Sequence, residues 1–264
     1  MTSLSKPACA STYPSANVDS ESPDSRISPE LLVVMPAYNE QAAIPTVIES
    51  WFTVLDAVVG NFALRVIDDG SKDRTRELLE NLQPKLGHRL EILSRPNRGH
   101  GQTCLEGYRL AIERGIPFIL QIDSDGQCDP AYLAAFWDLR HEHDVIYGRR
   151  SREDGLVRFI ASFTLRCLVR VIEGVPCIDP NVPYRLMRTA ACAPAIASIP
   201  PTFDLANIAL SVQLARQPGL REATVPIRFR ERLGGEPSVP LHRFAGKAVE
   251  LFRQLKALRA DGRS

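Results

Sequence analysis

Apolar and polar positions along the chain fall into two alternating rhythms. Leu31–Met35, Leu64–Ile67, Leu90–Leu93 and Phe118–Ile122 are short, mainly apolar runs, as strands buried on both faces require. Between them apolar residues recur at three- and four-residue steps. Ile44, Val47, Ile48, Trp51, Leu55 and Val58 mark one face of a helix over 42–58. Pro36 is expected to end the first strand, and Ser71 to cap a second helix running through Leu82. The loop "NRGHG" leads into a helix ended by Gly115, Pro130 begins another, and Val145–Tyr147 is a further short strand. Four or five strands alternating with helices predict an α/β protein, a single Rossmann-like, mostly parallel open sheet with helices on both faces.

Beyond residue 150 the rhythm changes. A helix over 156–173 pairs a wide apolar face with a polar stripe of Arg158, Ser162, Arg166 and Arg170. "IDPNVPYRLMR" reads as a loop entering a short strand, "FDLANIALSVQLARQPG" as a helix, and "LREATVPIRFRERLGGEPS" as a strand and a glycine turn. Residues 241–264 form a basic amphipathic helix, and residues 1–29, rich in Ser and Pro, a disordered arm with too few apolar groups to offset ordering. The domain between them covers 30–240.

Composition narrows the function. Among 264 residues, Lys and Arg number 32 against 31 acidic residues, so the net charge of +1 argues against a general nucleic-acid binder. The six cysteines form no C-x-x-C pair, which suits reduced thiols in a cytoplasmic protein. No run is long and apolar enough to span a membrane, and the N-terminus lacks the apolar core of a secretory signal. The basic faces of 156–173 and 241–259 leave room for peripheral contact at the inner face of a membrane.

The chemistry-bearing clusters share one edge. Tyr38-Asn39-Glu40, Asp68-Asp69, Asn97-Arg98-Gly99 and Asp123-Ser124-Asp125 all follow predicted strands, where open α/β sheets bind ligands. Two carboxylates one residue apart repel unless a cation neutralises them. Oxygen ligands of this kind suit Mg²⁺ or Mn²⁺ shared with substrate phosphates. Alternatively, the pair is a solvated turn or a cap for the helix at Pro130. Asp68 and Asp69 either bond a base or ribose hydroxyl or cap the next helix with Ser71. His100, inside the glycine loop, is the histidine nearest these clusters.

In order along the chain, "VVMPAYNE", "VIDDGSKDRT", "NRGHGQ", "QIDSDGQCDP", "DVIYGRR" and "DPNVPYRLMR" resemble the motifs of family 2 glycosyltransferases. The subgroup they most resemble comprises dolichol-phosphate mannosyltransferase-like polyprenol-phosphate sugar transferases. That resemblance implies a GT-A fold, a nucleoside-diphosphate-sugar donor, a divalent metal and inversion at the anomeric carbon. It places Pro36, Ala37, Tyr38, Glu40, Asp68 and Asp69 around the nucleoside, with Asp69 contacting base or ribose. It makes Asp123, Asp125 and Gln127 metal ligands, and puts Ser124, Arg150 and Arg232 with the donor. Asp179 and Arg185 join Asp123 and Asp125 as catalytic residues on the acceptor side. Arg149 stands where serine is usual, "NVPYR" replaces the usual "SGFR", and "RLGGEPSV" lacks the usual lysine. A phosphate clamp would therefore rest on Arg232 with Arg228 or Arg230. A polyprenyl phosphate is the expected acceptor. The alternatives are a soluble hydroxyl acceptor, with Asp179 or Asp204 as base, and a non-catalytic sugar-nucleotide-binding relative. A nucleotidyltransferase would need a basic glycine loop where "PAYNE" stands. Oligomerisation is left open.

Overall fold

The computed structural model describes residues 28–150, 167, 169–177, 182–201, 203 and 205–234. The expected arm at 1–29 (apart from its last two residues), the helix at 241–264, most of 156–173, and Asp179 and Asp204 lie outside the described residues.

Strands β1 (Leu31–Ala37), β2 (Phe62–Asp68), β3 (Leu90–Ser94) and β4 (Phe118–Gln121) alternate with helices α1 (Ile44–Val58), α2 (Thr75–Leu86) and α3 (His100–Glu113). Then follow α4 (Leu133–Leu139), β5 (Val145–Arg150), β6 (Arg185–Arg188), α5 (Thr189–Ala197), α6 (Ala206–Arg216) and β7 (Glu222–Ile227). The seven strands form one sheet in the order β3-β2-β1-β4-β6-β5-β7. β1 lies centrally, parallel to both β2 and β4, and every residue of it is buried. Alternate residues of β1 feed two cores. Leu31, Val33 and Met35 pack with α1, α2 and α4, whereas Leu32 and Val34 pack with α3, α5 and α6.

Several local expectations change. Pro36 does not end β1, because the strand continues to Ala37 with Pro36 opposite Ile67. Proline lacks only the N–H, and its carbonyl still accepts the Ser124 hydroxyl at 2.8 Å. Ser71 does not cap α2, which starts at Thr75; its hydroxyl instead accepts the Asn39 N–H at 2.9 Å. Asp73 takes the capping part, accepting the Thr75 N–H at 3.0 Å. His100 is the first residue of α3 and not part of the loop. Asp129, not the Asp-x-Asp pair, caps the turn at Pro130 by accepting the Ala131 N–H.

The larger revision concerns the sheet beyond β4. Among the described residues the sheet has seven strands, the last two being those expected beyond residue 150, but β6 enters antiparallel between β4 and β5. That insertion sets Arg185 beside Gln121 on one flank and Tyr147 on the other.

Candidate active site

The carboxyl ends of β1 to β4 meet at a cavity of about 380 Å³, lined from Pro36–Tyr38, Glu40, Asp69, Asn97, Gly99, His100 and Asp123–Asp125, with Arg232 closing one side. Each wall is fixed by bonds between loops distant in sequence. Asn39 adopts a left-handed backbone (φ 55°), and its side-chain oxygen accepts the Lys72 N–H at 2.8 Å. The Glu40 N–H donates to Thr75 Oγ1 at 2.8 Å, so the "PAYNE" segment is laced to the turn after β2.

The two carboxylates of that turn divide the work. Asp68 accepts the Ser71 N–H at 3.0 Å and shapes the turn. Asp69 faces the cavity, where its oxygens accept the Arg98 and Gly99 N–H groups, each at 2.8 Å, and pair with Arg95. Arg95 also bonds Glu106 at 2.8 Å and Thr103 Oγ1 at 2.9 Å. It is thus the anchor of the nucleotide-side carboxylate, a role that sequence reasoning missed; its signal was a cation directly after β3. Gly70 makes the close approach feasible. Its φ is +77°, and a Cβ there would sit 2.7 Å from the Asn97 backbone nitrogen.

Opposite lies the acidic loop after β4. Asp125 accepts the Gln127 N–H at 3.0 Å, and Ser124 ties the loop to Pro36. The chain after β7 clasps this loop from outside: Arg230 N–H donates to Gln127 O at 2.9 Å and Leu233 N–H to Asp125 O at 3.1 Å. The Leu233 side chain packs over Gly126, filling the space a Cβ would take. This clasp carries Arg232 to the cavity, where it pairs with Glu40 and stands 3.5 Å from Asp125. Arg230 pairs instead with Asp129 at 2.6 Å.

Negative charge therefore concentrates here: Glu40, Asp69, Asp123 and Asp125 share one cavity. Burial raises the Glu40 carboxyl to about 7; Arg232 opposes the shift, and Asp125, Asp123 and Asp73 add to it. Glu40 Oε2 is buried with no hydrogen-bond partner. His100 reaches the cavity with Nε2 3.5 Å from Cys104 Sγ; that thiol, then Asp123 and Asp69, raise the imidazole above its ordinary value. An oxygen donor set with surplus negative charge fits a hard divalent cation, which Asp123 and Asp125 could hold; the expected third ligand, Gln127, is not among the residues that line the cavity, and its Nε2 donates to the Arg230 carbonyl at 3.4 Å.

Not every expected residue joins this cavity. Arg185 is fully buried between β4 and β5, with Nη2 2.9 Å from Ser211 Oγ and its guanidinium over the Tyr147 ring at 5.0 Å. Arg150 ends β5.

A mostly parallel sheet with an inserted antiparallel strand and an acidic loop after β4 is the GT-A architecture. The chain belongs to Glycosyl transferase family 2, whose profile matches residues 32–185. It is 27% identical over 159 residues to the undecaprenyl-phosphate 4-deoxy-4-formamido-L-arabinose transferase of Pectobacterium atrosepticum, covering 59% of this chain and 48% of that one. It thus spans about half the length of that relative. To the polyprenol monophosphomannose synthase of Mycolicibacterium smegmatis it is 27% identical over 212 residues, covering 76% of this chain and 77% of the relative. Its fold is similar to that of glucosyl-3-phosphoglycerate synthase from Mycobacterium tuberculosis, solved with Mn²⁺, uridine diphosphate and phosphoglyceric acid. That TM-score is 0.64 at 19% identity, covering 86% of this chain and 78% of that one. No helix among the described residues is long and apolar enough to cross a membrane.

Proposed function

We propose that this chain is a metal-dependent inverting glycosyltransferase that moves a sugar from a nucleoside-diphosphate sugar to a polyprenyl phosphate. The observation that carries the reading is the four-carboxylate cavity at the strand ends, with Arg232 as its bridging cation. Mg²⁺ or Mn²⁺ held by Asp123, Asp125 and Gln127 would act there as a Lewis acid toward the leaving diphosphate. The protein's own groups do the rest. Ala37 and Tyr38 form the nucleoside wall. Asp69 receives a base or ribose hydroxyl while holding the "NRG" loop. Arg232 faces the diphosphate, and the family resemblance assigns Arg150, at the end of β5, to the donor as well. An acceptor oxygen attacks the anomeric carbon as the bond from that carbon to the diphosphate breaks on the opposite side.

A phosphate acceptor is already an anion and needs no general base. Unpartnered N–H donors lie close by. Gln121 Nε2 and Arg185 Nε and Nη1 have no hydrogen-bond partner, and the two residues are direct neighbours across β4 and β6. All three are donors without an acceptor oxygen, two positions or fewer along the sheet from the loop that carries Asp123, although neither residue lines the cavity itself. The relatives named for polyprenyl-phosphate substrates lend further support. On this reading the transferase domain is 30–240 and contact with the lipid is peripheral.

The test is a donor screen by nucleoside-diphosphate release, with Mn²⁺ or Mg²⁺ and a short polyprenyl phosphate. Release that needs both metal and lipid phosphate is expected. Equal turnover in excess EDTA would overturn the metal role, and transfer to a soluble hydroxyl alone would overturn the lipid acceptor.

A further inference from the structure

A second cavity of about 380 Å³ lies on the α3 face of β2, separated from the first by the Asn97–Gly99 loop. Its walls include Arg65, Ile67, Arg98, Glu106, Arg109 and Glu113. Arg65 is the anomaly. It occupies the middle of a strand otherwise made of buried residues, and its side chain is only 18% exposed. Its one ion pair among the described residues, with Glu91, is long at 3.4 Å, and Glu91 is drawn more closely to Arg114 at 2.6 Å. Arg65 Nε is buried with no hydrogen-bond partner. An unsatisfied guanidinium N–H is destabilising, and it marks Arg65, which lines the cavity, as incompletely paired within the fold.

The charges around Arg65 favour one kind of ligand. Glu106, the carboxylate on the α3 side, is held by Arg95. Arg109 is fixed by Nη2 to the Ile199 carbonyl at 2.6 Å, and Arg98 stands exposed at the rim with no ion pair among the described residues. Three guanidinium groups thus face a cavity whose only carboxylate without an ion pair among the described residues is Glu113.

We propose that this cavity is a binding site for a small dianion of the phosphate class, held by Arg65, Arg98 and Arg109, and that its occupancy strengthens binding in the neighbouring cavity. The link is covalent and short. The Arg98 and Gly99 backbone N–H groups hold Asp69, and Arg95 joins Asp69 to Glu106. An anion gripping the Arg98 side chain steadies the loop that forms the nucleotide wall. Linkage then requires that a nucleotide in the first cavity tighten the anion in the second by the same factor. The binding half of the proposal is independent of glycosyl transfer; the coupling half rests on the first cavity being the nucleotide site.

The experiment is calorimetric titration of the metal-free protein with inorganic phosphate, so that the four carboxylates of the first cavity repel the probe. Wild type is compared with Arg65→Gln, with Arg98→Gln, whose exposed side chain can change without disturbing the core, and with Arg232→Gln. The expected result is saturable binding, weakened roughly tenfold or more in Arg65→Gln and Arg98→Gln, the scale of one charged hydrogen bond. Arg232→Gln should bind phosphate as wild type does. No saturable binding to wild type, or loss in Arg232→Gln with retention in the other two, would overturn the site. A nucleoside diphosphate whose affinity ignores saturating phosphate would overturn the coupling and leave the transferase reading standing.

Discussion

Glu40 carries a pH signature that can be read without any substrate. The residue is 6% exposed, and burial lifts its carboxyl from 4.5 to about 7 despite the Arg232 pair. The folded protein therefore holds this proton more tightly than the unfolded chain does. The resulting stability is fully present below about 4.5 and is lost as pH rises through about 7. A shift of about 2.5 units, at about 1.4 kcal/mol each, amounts to roughly 3 kcal/mol, of which about 2–3 falls between pH 5 and pH 8. Glu40→Gln keeps the shape and can still accept from Arg232, but it does not ionise. Urea unfolding of both proteins at pH 5 and pH 8 in EDTA isolates the effect of Glu40 and the carboxylates coupled to it, because titrating groups remote from Glu40 cancel in the comparison. The variant should lose less stability than wild type across that interval, by about 2 kcal/mol. Parallel pH profiles would mean that Glu40 is ionised throughout, with Arg232 outweighing burial, and the account of the cavity's surplus charge would fail.

Three further outcomes are expected. Asp125→Ala should abolish transfer with little change in melting temperature, since the carboxylate sits on a strand-end loop and not in the core; retained turnover would exclude it as a metal ligand. Asp69→Asn should weaken nucleoside-diphosphate binding by on the order of 1–3 kcal/mol in calorimetry, because it removes one of the two oxygens that hold the loop N–H groups and the charge that pairs with Arg95; unchanged affinity would confine Asp69 to holding the turn. Asp144, bonded first by the Arg221 side chain and also by its N–H and by Arg188, is held down to about 2, so its stability is present above 3.8 and lost as pH falls towards 2. Asp144→Asn should cost about 1–2 kcal/mol at neutral pH and almost nothing near pH 2, as thermal melts at the two pH values would register.

What the sequence disclosed and what it hid divide along physical lines. The first four strands and three helices were legible because their apolar periods are set by burial on both sheet faces, a local requirement that repeats along the chain. The acidic clusters were legible too, since strand ends in a parallel sheet all open on one edge. The turn of Asp68 to Ser71 was misread because a serine before a helix serves equally well as a cap or as a partner for a distant N–H, and only the fold sets Asn39 beside it. The antiparallel insertion of β6 left no signal, because a four-residue strand reads alike in either direction. Arg185 illustrates the consequence. Motif order placed it on the acceptor side, but only strand pairing puts it beside Gln121, where their unsatisfied donors lie together. Arg232 extends the same point to electrostatics. It lies 192 positions from Glu40 and 107 from Asp125, and the loop clasp at Leu233 and Arg230 brings the three together. Charge balance in this cavity is thus a product of tertiary structure: the carboxylates can be counted along the chain, but the cation that faces them cannot be assigned until the chain after β7 returns across the acidic loop.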